Sequence, residues 1–103
     1  MKRMINIIII EDEKLSAEHL ATLLTKIDES IEIVASFDSV KKSVEEFKKG
    51  MKADLLFVDV HLADGLSFDI FSQVQIRTPV IFTTAFDQYT LKAFKVNSID
   101  YLL

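Results

Sequence analysis

Short apolar runs rich in β-branched residues alternate along this chain with segments of helical periodicity. The first run, Ile5–Ile10, is nearly unbroken, which is typical of a strand buried on both faces of a parallel sheet. Four further strands are predicted on the same grounds, at Ile31–Phe37, Leu55–Val58, Pro79–Thr84 and Asp100–Leu103. Pro79 is compatible with this assignment because a proline at the first residue of a strand costs no central ladder bond.

The segments between these strands have apolar residues at helical spacing. In the first segment the apolar positions recur at i, i+3, i+4 and i+7, and they are Leu20, Leu23, Leu24 and Ile27. In the second, Ser39 is a suitable N-cap and Gly50 a suitable stop. The apolar face of that helix consists of Val40, Val44 and Phe47. Two shorter helices are predicted at about 67–75 and 89–95, with an Asp64-Gly65 turn before the first of them.

Regular alternation of strands and helices predicts an α/β protein with helices on both faces of a parallel sheet. The chain has 103 residues, so we interpret 1–103 as a single domain. For five strands, the expected architecture is a flavodoxin-like, three-layer fold with strand order 2-1-3-4-5 and right-handed crossovers.

Composition excludes several classes of function. The chain has no cysteine, which rules out disulfides and thiol catalysis, and no glycine-rich phosphate loop. Its net charge of −4 is unfavourable for direct binding to nucleic acid. The apolar run at 5–10 is too short to span a membrane, so we expect a cytoplasmic protein without membrane contact.

Polar residues follow three of the predicted strands at the point where each strand ends. Glu11-Asp12-Glu13 follows the first strand, Asp59 the third, and Thr83-Thr84 closes the fourth. In an open parallel sheet, ligands bind beyond the carboxyl ends of the strands where the strand order reverses. With the order 2-1-3-4-5, that point lies between the first and third strands, so these residues are expected to converge.

Clustered carboxylates repel one another, and a hard dication removes that penalty. Asp12 and Asp59 are the first expected ligands of a Mg²⁺ ion, and Glu11 is expected to act directly or through water. The backbone carbonyl of His61 is a further candidate ligand. A carboxylate such as Asp59 can also attack phosphorus and form an aspartyl-phosphate, while the Thr84 hydroxyl could donate to a phosphoryl oxygen.

Each of these signals also has a purely structural explanation. Acidic residues after a strand can solvate a loop or cap a helix, and threonine favours strands. His19 and His61 are more simply surface residues than metal ligands. Tyr101 could act as a switch, but it is also an ordinary aromatic strand residue. The joint placement of acids and threonine at three strand ends favours the functional interpretation.

Four segments in this order resemble the receiver family of two-component signalling: Ile8–Glu13, Leu56–Leu62, Pro79–Ala85 and Asp100–Leu103. The resemblance covers the whole chain. The stretches 83–89 and 93–103 are similar to receivers of the LytTR (LytR/AlgR) class, in which a DNA-binding domain follows the receiver.

The resemblance implies that Asp59 is the phosphoacceptor of a sensor histidine kinase and that Glu11 and Asp12 form the acidic pair, with Asp12 the direct Mg²⁺ ligand. It also implies that Thr84, rather than its neighbour Thr83, contacts the phosphoryl group, and that Tyr101 changes rotamer with it. A homodimer is expected, and DNA contact is expected only through a C-terminal output domain.

Receivers normally continue past the fifth strand with a Lys-Pro pair and a final helix that packs beside the first. The chain stops at Leu103, before both, so we interpret it as a truncated receiver or a remnant. An apolar patch beside the first helix is then expected, with low stability or association through that face.

Two other functions fit the same residues. One is a Mg²⁺-dependent phosphohydrolase, in which His61 would be the acid two residues after the nucleophile. The other is a receiver-like interaction module that is not phosphorylated. Turnover of phosphomonoesters would favour the first alternative, and absence of Mg²⁺ binding the second.

Overall fold

The computed structural model describes residues 3–83 and the backbone of residues 98–102. Its strands are β1 (Ile5–Ile10), β2 (Ile31–Phe37), β3 (Leu55–Asp59), β4 (His61–Leu62), β5 (Gly65–Leu66), β6 (Val80–Thr83) and β7 (Ser98–Leu102). Its helices are α1 (Lys14–Ile27), α2 (Val40–Lys48) and α3 (Phe68–Gln73). Within the described ranges, no helix has both the length and the apolar character needed to cross a bilayer.

The main sheet has five strands in the order β2-β1-β3-β6-β7, and all its neighbouring pairs are parallel. Since β6 and β7 are the fourth and fifth strands of the sequence analysis, this is the predicted order 2-1-3-4-5. The flavodoxin-like prediction is therefore confirmed. The short strands β4 and β5 form a separate antiparallel hairpin, where the sequence predicts only a turn.

Side chains of β1 point alternately into two apolar clusters, one on each face of the sheet. Ile8 and Ile10 belong to the cluster that includes apolar residues of α2 and α3, whereas Ile7 and Ile9 pack with Leu24 of α1. Because both faces of the strand are covered, an unbroken isoleucine run is compatible with complete burial. This arrangement accounts for the three layers.

Aromatic side chains fill the layer between the sheet and α3. The ring of Phe82 in β6 is fully buried and meets Phe68 edge-on, with 5.2 Å between the ring centroids. Phe71 makes a second edge-on contact to the same ring, at 6.1 Å. Edge-to-face pairs of this kind add roughly 0.5–1.5 kcal/mol each beyond the burial of their area. Phe82 is therefore a principal packing residue of the fold.

The helix predicted from the spacing of 20, 23, 24 and 27 is present, but only part of that stripe faces the sheet. Leu24 is buried, whereas Leu23 is 45% exposed and Ile27 is 75% exposed. The other α1 residues that pack against the core cluster are Ala17, Leu20 and Ala21. The helix presents the face centred on positions 17, 20, 21 and 24 to the sheet, which leaves Leu23 and Ile27 on its flank.

Several element boundaries differ from the predicted ones. Helix α3 ends at Gln73 rather than at about 75, because Val74 has extended backbone angles of φ −134° and ψ 132°. Strand β7 begins at Ser98, two residues before the predicted start, and β3 includes Asp59. The helix predicted at about 89–95 lies outside the described residues.

Candidate metal centre

The ends of β1 and β3 bring two carboxylates side by side. Ile10 is in register with Val58 across this strand pair, so the next positions, Glu11 and Asp59, are neighbours at the carboxyl edge of the sheet. The Glu11 backbone N–H donates to the carbonyl of Phe37 at 2.9 Å, which fixes the first residue after β1 against the end of β2. The position of both acids is therefore set by the sheet itself.

Asp12, which precedes α1, completes a group of three acids. One carboxylate oxygen from each of Glu11, Asp12 and Asp59 lies within 4.8 Å of the other two. Glu11 and Asp59 are half-buried, and Asp12 is exposed. An all-oxygen cluster that is open to solvent on one side fits Mg²⁺, which binds one or two carboxylates and keeps several waters. The convergence predicted for these three residues is confirmed.

Electrostatics at the cluster favour a proton or a cation. Burial, and then the neighbouring carboxyl groups of Asp12 and Asp59, raise the pKa of Glu11 to about 7, although a backbone hydrogen bond from Glu13 opposes this shift. That bond runs from the Glu13 N–H to Glu11 Oε2 at 3.1 Å. A carboxyl that is reluctant to ionise in the metal-free protein is the expected consequence of packing three acids together.

Burial also raises the pKa of Asp59, and the nearby charge of Asp12 adds to the effect. Backbone hydrogen bonds from His61 and Val60 and a side-chain hydrogen bond with Glu11 act in the opposite direction and stabilise the ionised carboxylate. Asp59 thus has N–H donors that hold its carboxylate in place. Its acidic neighbours favour the binding of a positive charge.

The two histidines occupy different surroundings. His19 lies on the exposed face of α1, as predicted. The surface placement predicted for His61 is wrong: the residue is half-buried and its Nε2 atom is enclosed. His61 starts the β4–β5 hairpin directly beyond Asp59, which explains the enclosure. Its backbone carbonyl stays a predicted Mg²⁺ ligand.

The side chains of two predicted site residues fall outside what the structure describes. Thr84 is not among the described residues, and for Tyr101 the structure gives only the backbone, as part of β7. Their roles stay predictions. Thr83, the neighbour not selected, is in register with Asp59 across β3 and β6, and its carbonyl accepts the Val60 N–H at 3.3 Å.

A contact without any local sequence signal joins the loop after Asp59 to α2. Asp64 Oδ1 accepts the Val40 N–H at 2.8 Å, and Asp64 Oδ2 accepts the Lys41 N–H at 3.1 Å. These bonds lower the pKa of Asp64. The Asp64-Gly65 pair predicted a turn, but the partner helix begins 24 residues earlier, so local pattern alone gave no sign of this contact.

A groove of about 570 Å³ opens beside the acids, between α1 and β2. Ile9, Ile33 and Ala21 contribute to its apolar lining, and Glu11 and Asp12 also line it. Glu11 and Asp12 are therefore accessible from the surface.

Known proteins resemble this chain in sequence over nearly its whole length. The model described as "Response regulator receiver domain" matches residues 7–103. The sensory transduction protein LytT of Enterococcus faecalis is 40% identical over 101 residues, which cover 95% of this chain and 41% of that protein. The chain thus spans about two fifths of the length of this curated relative.

Solved structures give the same result. The response regulatory domain of mrkE from Klebsiella pneumoniae is 33% identical, with a TM-score of 0.74, over 95% of this chain and 81% of that domain. The response regulator TrrA of Thermotoga maritima, solved in complex with Mg²⁺ and BeF, has a TM-score of 0.79 at 19% identity. That match covers 97% of this chain and 86% of TrrA, and it shows a shared fold.

Proposed function

Because this chain belongs to the response regulator receiver family, we propose that it is a phosphoacceptor switch in which Asp59 takes a phosphoryl group in a Mg²⁺-dependent reaction. A receiver domain is a signalling module and not a catalytic enzyme. The observation that carries the proposal is the meeting of Glu11, Asp12 and Asp59, with one oxygen from each within 4.8 Å of the others.

The residues of the cluster have distinct roles in this proposal. Asp12 and Asp59 hold Mg²⁺, with Glu11 acting directly or through water and the His61 carbonyl as a further ligand. When bound, Mg²⁺ supplies positive charge that offsets both the carboxylates and the oxygens of the phosphoryl group. The His61 N–H is hydrogen-bonded to the Asp59 carboxylate and orients it.

Transfer needs an ionised Asp59. One of its oxygens forms a bond to phosphorus while the bond from phosphorus to the donor breaks, and the electron pair of that bond stays with the donor. The donor is the phosphohistidine of a sensor kinase or a small acyl phosphate. Thr84 then donates its hydroxyl to a phosphoryl oxygen, and Tyr101 changes rotamer with it, so that the new charge biases a two-state equilibrium.

The resemblance to receivers of the LytTR class suggests the output. The chain covers 41% of its relative LytT, so a protein of similar length has room for a further domain. We propose that this domain binds DNA and that phosphorylation of Asp59 controls it, with homodimerisation as part of the switch. A net charge of −4 is unfavourable for direct contact between the receiver itself and DNA.

Beryllofluoride, an analogue of the phosphoryl group, tests this proposal. In the intact protein, Mg²⁺ with beryllofluoride is expected to shift the amide NMR signals around residues 11–12 and 59–61, and Asp59→Asn is expected to abolish the shifts. Asp69→Asn is the matched control, since it removes an exposed carboxylate of α3 outside the cluster. Equal shifts in Asp59→Asn, or no shifts in the wild type, would overturn the proposal.

The phosphohydrolase alternative is not supported. It requires His61 to protonate a leaving group, but the Nε2 atom of His61 is enclosed by protein. Family membership points the same way, because receivers are signalling domains.

A further inference from the structure

The start of α2 depends on an acceptor from a distant part of the chain. The first N–H groups of a helix have no partner within the helix and need acceptors from elsewhere. Ser39 serves the Lys42 N–H locally, through its Oγ atom at 3.0 Å. The Val40 and Lys41 N–H groups are served by the two carboxylate oxygens of Asp64. A negative charge at this end of a helix is also favoured by the helix dipole.

Asp64 lies at the tip of a short, well-connected hairpin. The hairpin pairs His61 with Leu66 and Leu62 with Gly65, so two residues form the turn. Below it, the Ser67 N–H donates to the Val60 carbonyl at 2.9 Å. Leu62 is buried, which anchors one strand of the hairpin in the core. A hairpin this small has little freedom to bend, so a constraint on its tip is also a constraint on His61.

The base of the hairpin contacts the phosphoacceptor candidate. The His61 N–H, at the first residue of β4, is hydrogen-bonded to the Asp59 carboxylate. The segment that precedes α2 also contacts the acidic site. Strand β2 ends at Phe37, two residues before Ser39, and its carbonyl holds the Glu11 N–H. A closed path therefore links Glu11, α2, Asp64, the hairpin and Asp59.

From this geometry we infer that Asp64 is a positioning residue for the acidic site: its bidentate bond to the start of α2 holds the hairpin so that His61 keeps its contact with Asp59. The inference rests on the proposed function of that site. Asp64 itself is exposed and contacts α2, so it acts through the hairpin. Partners that orient a metal-binding carboxylate typically change metal affinity when they are lost.

Three variants of the intact protein test the inference. Asp64→Ala removes both hydrogen bonds, and Asp64→Asn keeps one oxygen acceptor without the charge. Ser39→Ala is the matched control, because it removes one cap of the same helix and leaves the hairpin untouched. Mg²⁺ affinity from an NMR titration is expected to fall about tenfold in Asp64→Ala and less in Asp64→Asn. Ser39→Ala is expected to keep the wild-type affinity despite a lower melting temperature.

A measurement without metal separates positioning from general destabilisation. In the Mg²⁺-free protein, the amide hydrogen of His61 is expected to exchange faster in Asp64→Ala than in Ser39→Ala at equal global stability. Should Asp64→Ala fail to fold, the same two readouts on Asp64→Asn decide. Wild-type affinity and wild-type His61 exchange in the Asp64 variants, or equal losses in Ser39→Ala, would overturn the inference. A wild type that binds no Mg²⁺ would instead overturn the proposed function.

Discussion

Mg²⁺ binding should depend strongly on pH, and the size of the effect follows from Glu11. In the metal-free protein its pKa is raised to about 7, first by burial and then by its acidic neighbours. A metal ion binds the ionised cluster, so binding at lower pH must first displace a proton. With one proton of pKa about 7, the apparent Kd for Mg²⁺ should be about tenfold larger at pH 6 than at pH 8.

An NMR titration with Mg²⁺ at pH 6, 7 and 8, at constant ionic strength, measures this dependence. Glu11→Gln is the matched variant, because it removes the titrating carboxyl with little change in shape. We expect weaker binding in Glu11→Gln and a much smaller change between pH 6 and pH 8. A wild-type Kd that is the same at both pH values would refute the assignment of the proton to this cluster.

The same shift has a consequence for stability. The folded-state pKa of Glu11, about 7, lies above its ordinary value of 4.5, so the folded protein binds more protons than the unfolded chain within this window. The contribution of Glu11 to stability is therefore fully present below about pH 4.5 and is lost as the pH rises through about 7. Mg²⁺ offsets the repulsion between the ionised acids, so it should raise the melting temperature more at pH 8 than at pH 6.

Further predictions concern packing, backbone strain and chemistry. Phe82→Ala should lower the free energy of unfolding by about 3–5 kcal/mol in urea denaturation, because it removes a fully buried ring. Ile27→Ala should lower it by less than about 0.5 kcal/mol, because the Ile27 side chain is 75% exposed. Equal losses in the two would contradict this packing. Gly65→Ala should cost about 1–2 kcal/mol in the same assay, since Gly65 has φ +144° and L-residues avoid that region; a neutral change would show that the hairpin relaxes. Acetyl phosphate with Mg²⁺ should yield homoserine at Asp59 after borohydride reduction, and EDTA should prevent this; label at another carboxylate would argue against Asp59.

The sheet could be predicted from the sequence because each strand has its own local apolar run and the regular alternation of strands and helices indicates the same fold. Ile5–Ile10 marks a strand covered on both faces, and the order of the strands follows from regular alternation. The acids of the site could be found for a related reason. Asp59 and Glu11 each stand at the end of an apolar run, and parallel strands of this topology bring such ends together.

What escaped prediction depends on tertiary contacts that leave no local pattern. The spacing of 20, 23, 24 and 27 indicates a helix, but it does not show how the helix is rotated on the sheet. The spacing therefore predicts Leu23 and Ile27 on the apolar face, whereas in the structure they lie on its flank. The cap from Asp64 to α2 spans 24 residues, and only the fold brings the two segments together. The residues next to His61 in the sequence do not indicate the β4–β5 hairpin, so the sequence predicts a surface position for His61.

Apolar side chains on the flank of α1 lie at the surface. Leu23 and Ile27 are accessible there within the described part of the chain. Association through this face stays a prediction, and the concentration dependence of sedimentation is its direct test.

In the proposed site, acids from two strands share one divalent cation. Mn²⁺ substitutes for Mg²⁺ at oxygen sites and broadens the NMR signals of nearby amides, so it reports the position of the ion directly. We predict that substoichiometric Mn²⁺ broadens the amides of Glu11, Asp12 and those around Asp59 before any others, and that excess Mg²⁺ restores them. Broadening confined to other acidic surfaces, such as the helix face around Glu45 and Glu46, would contradict the account.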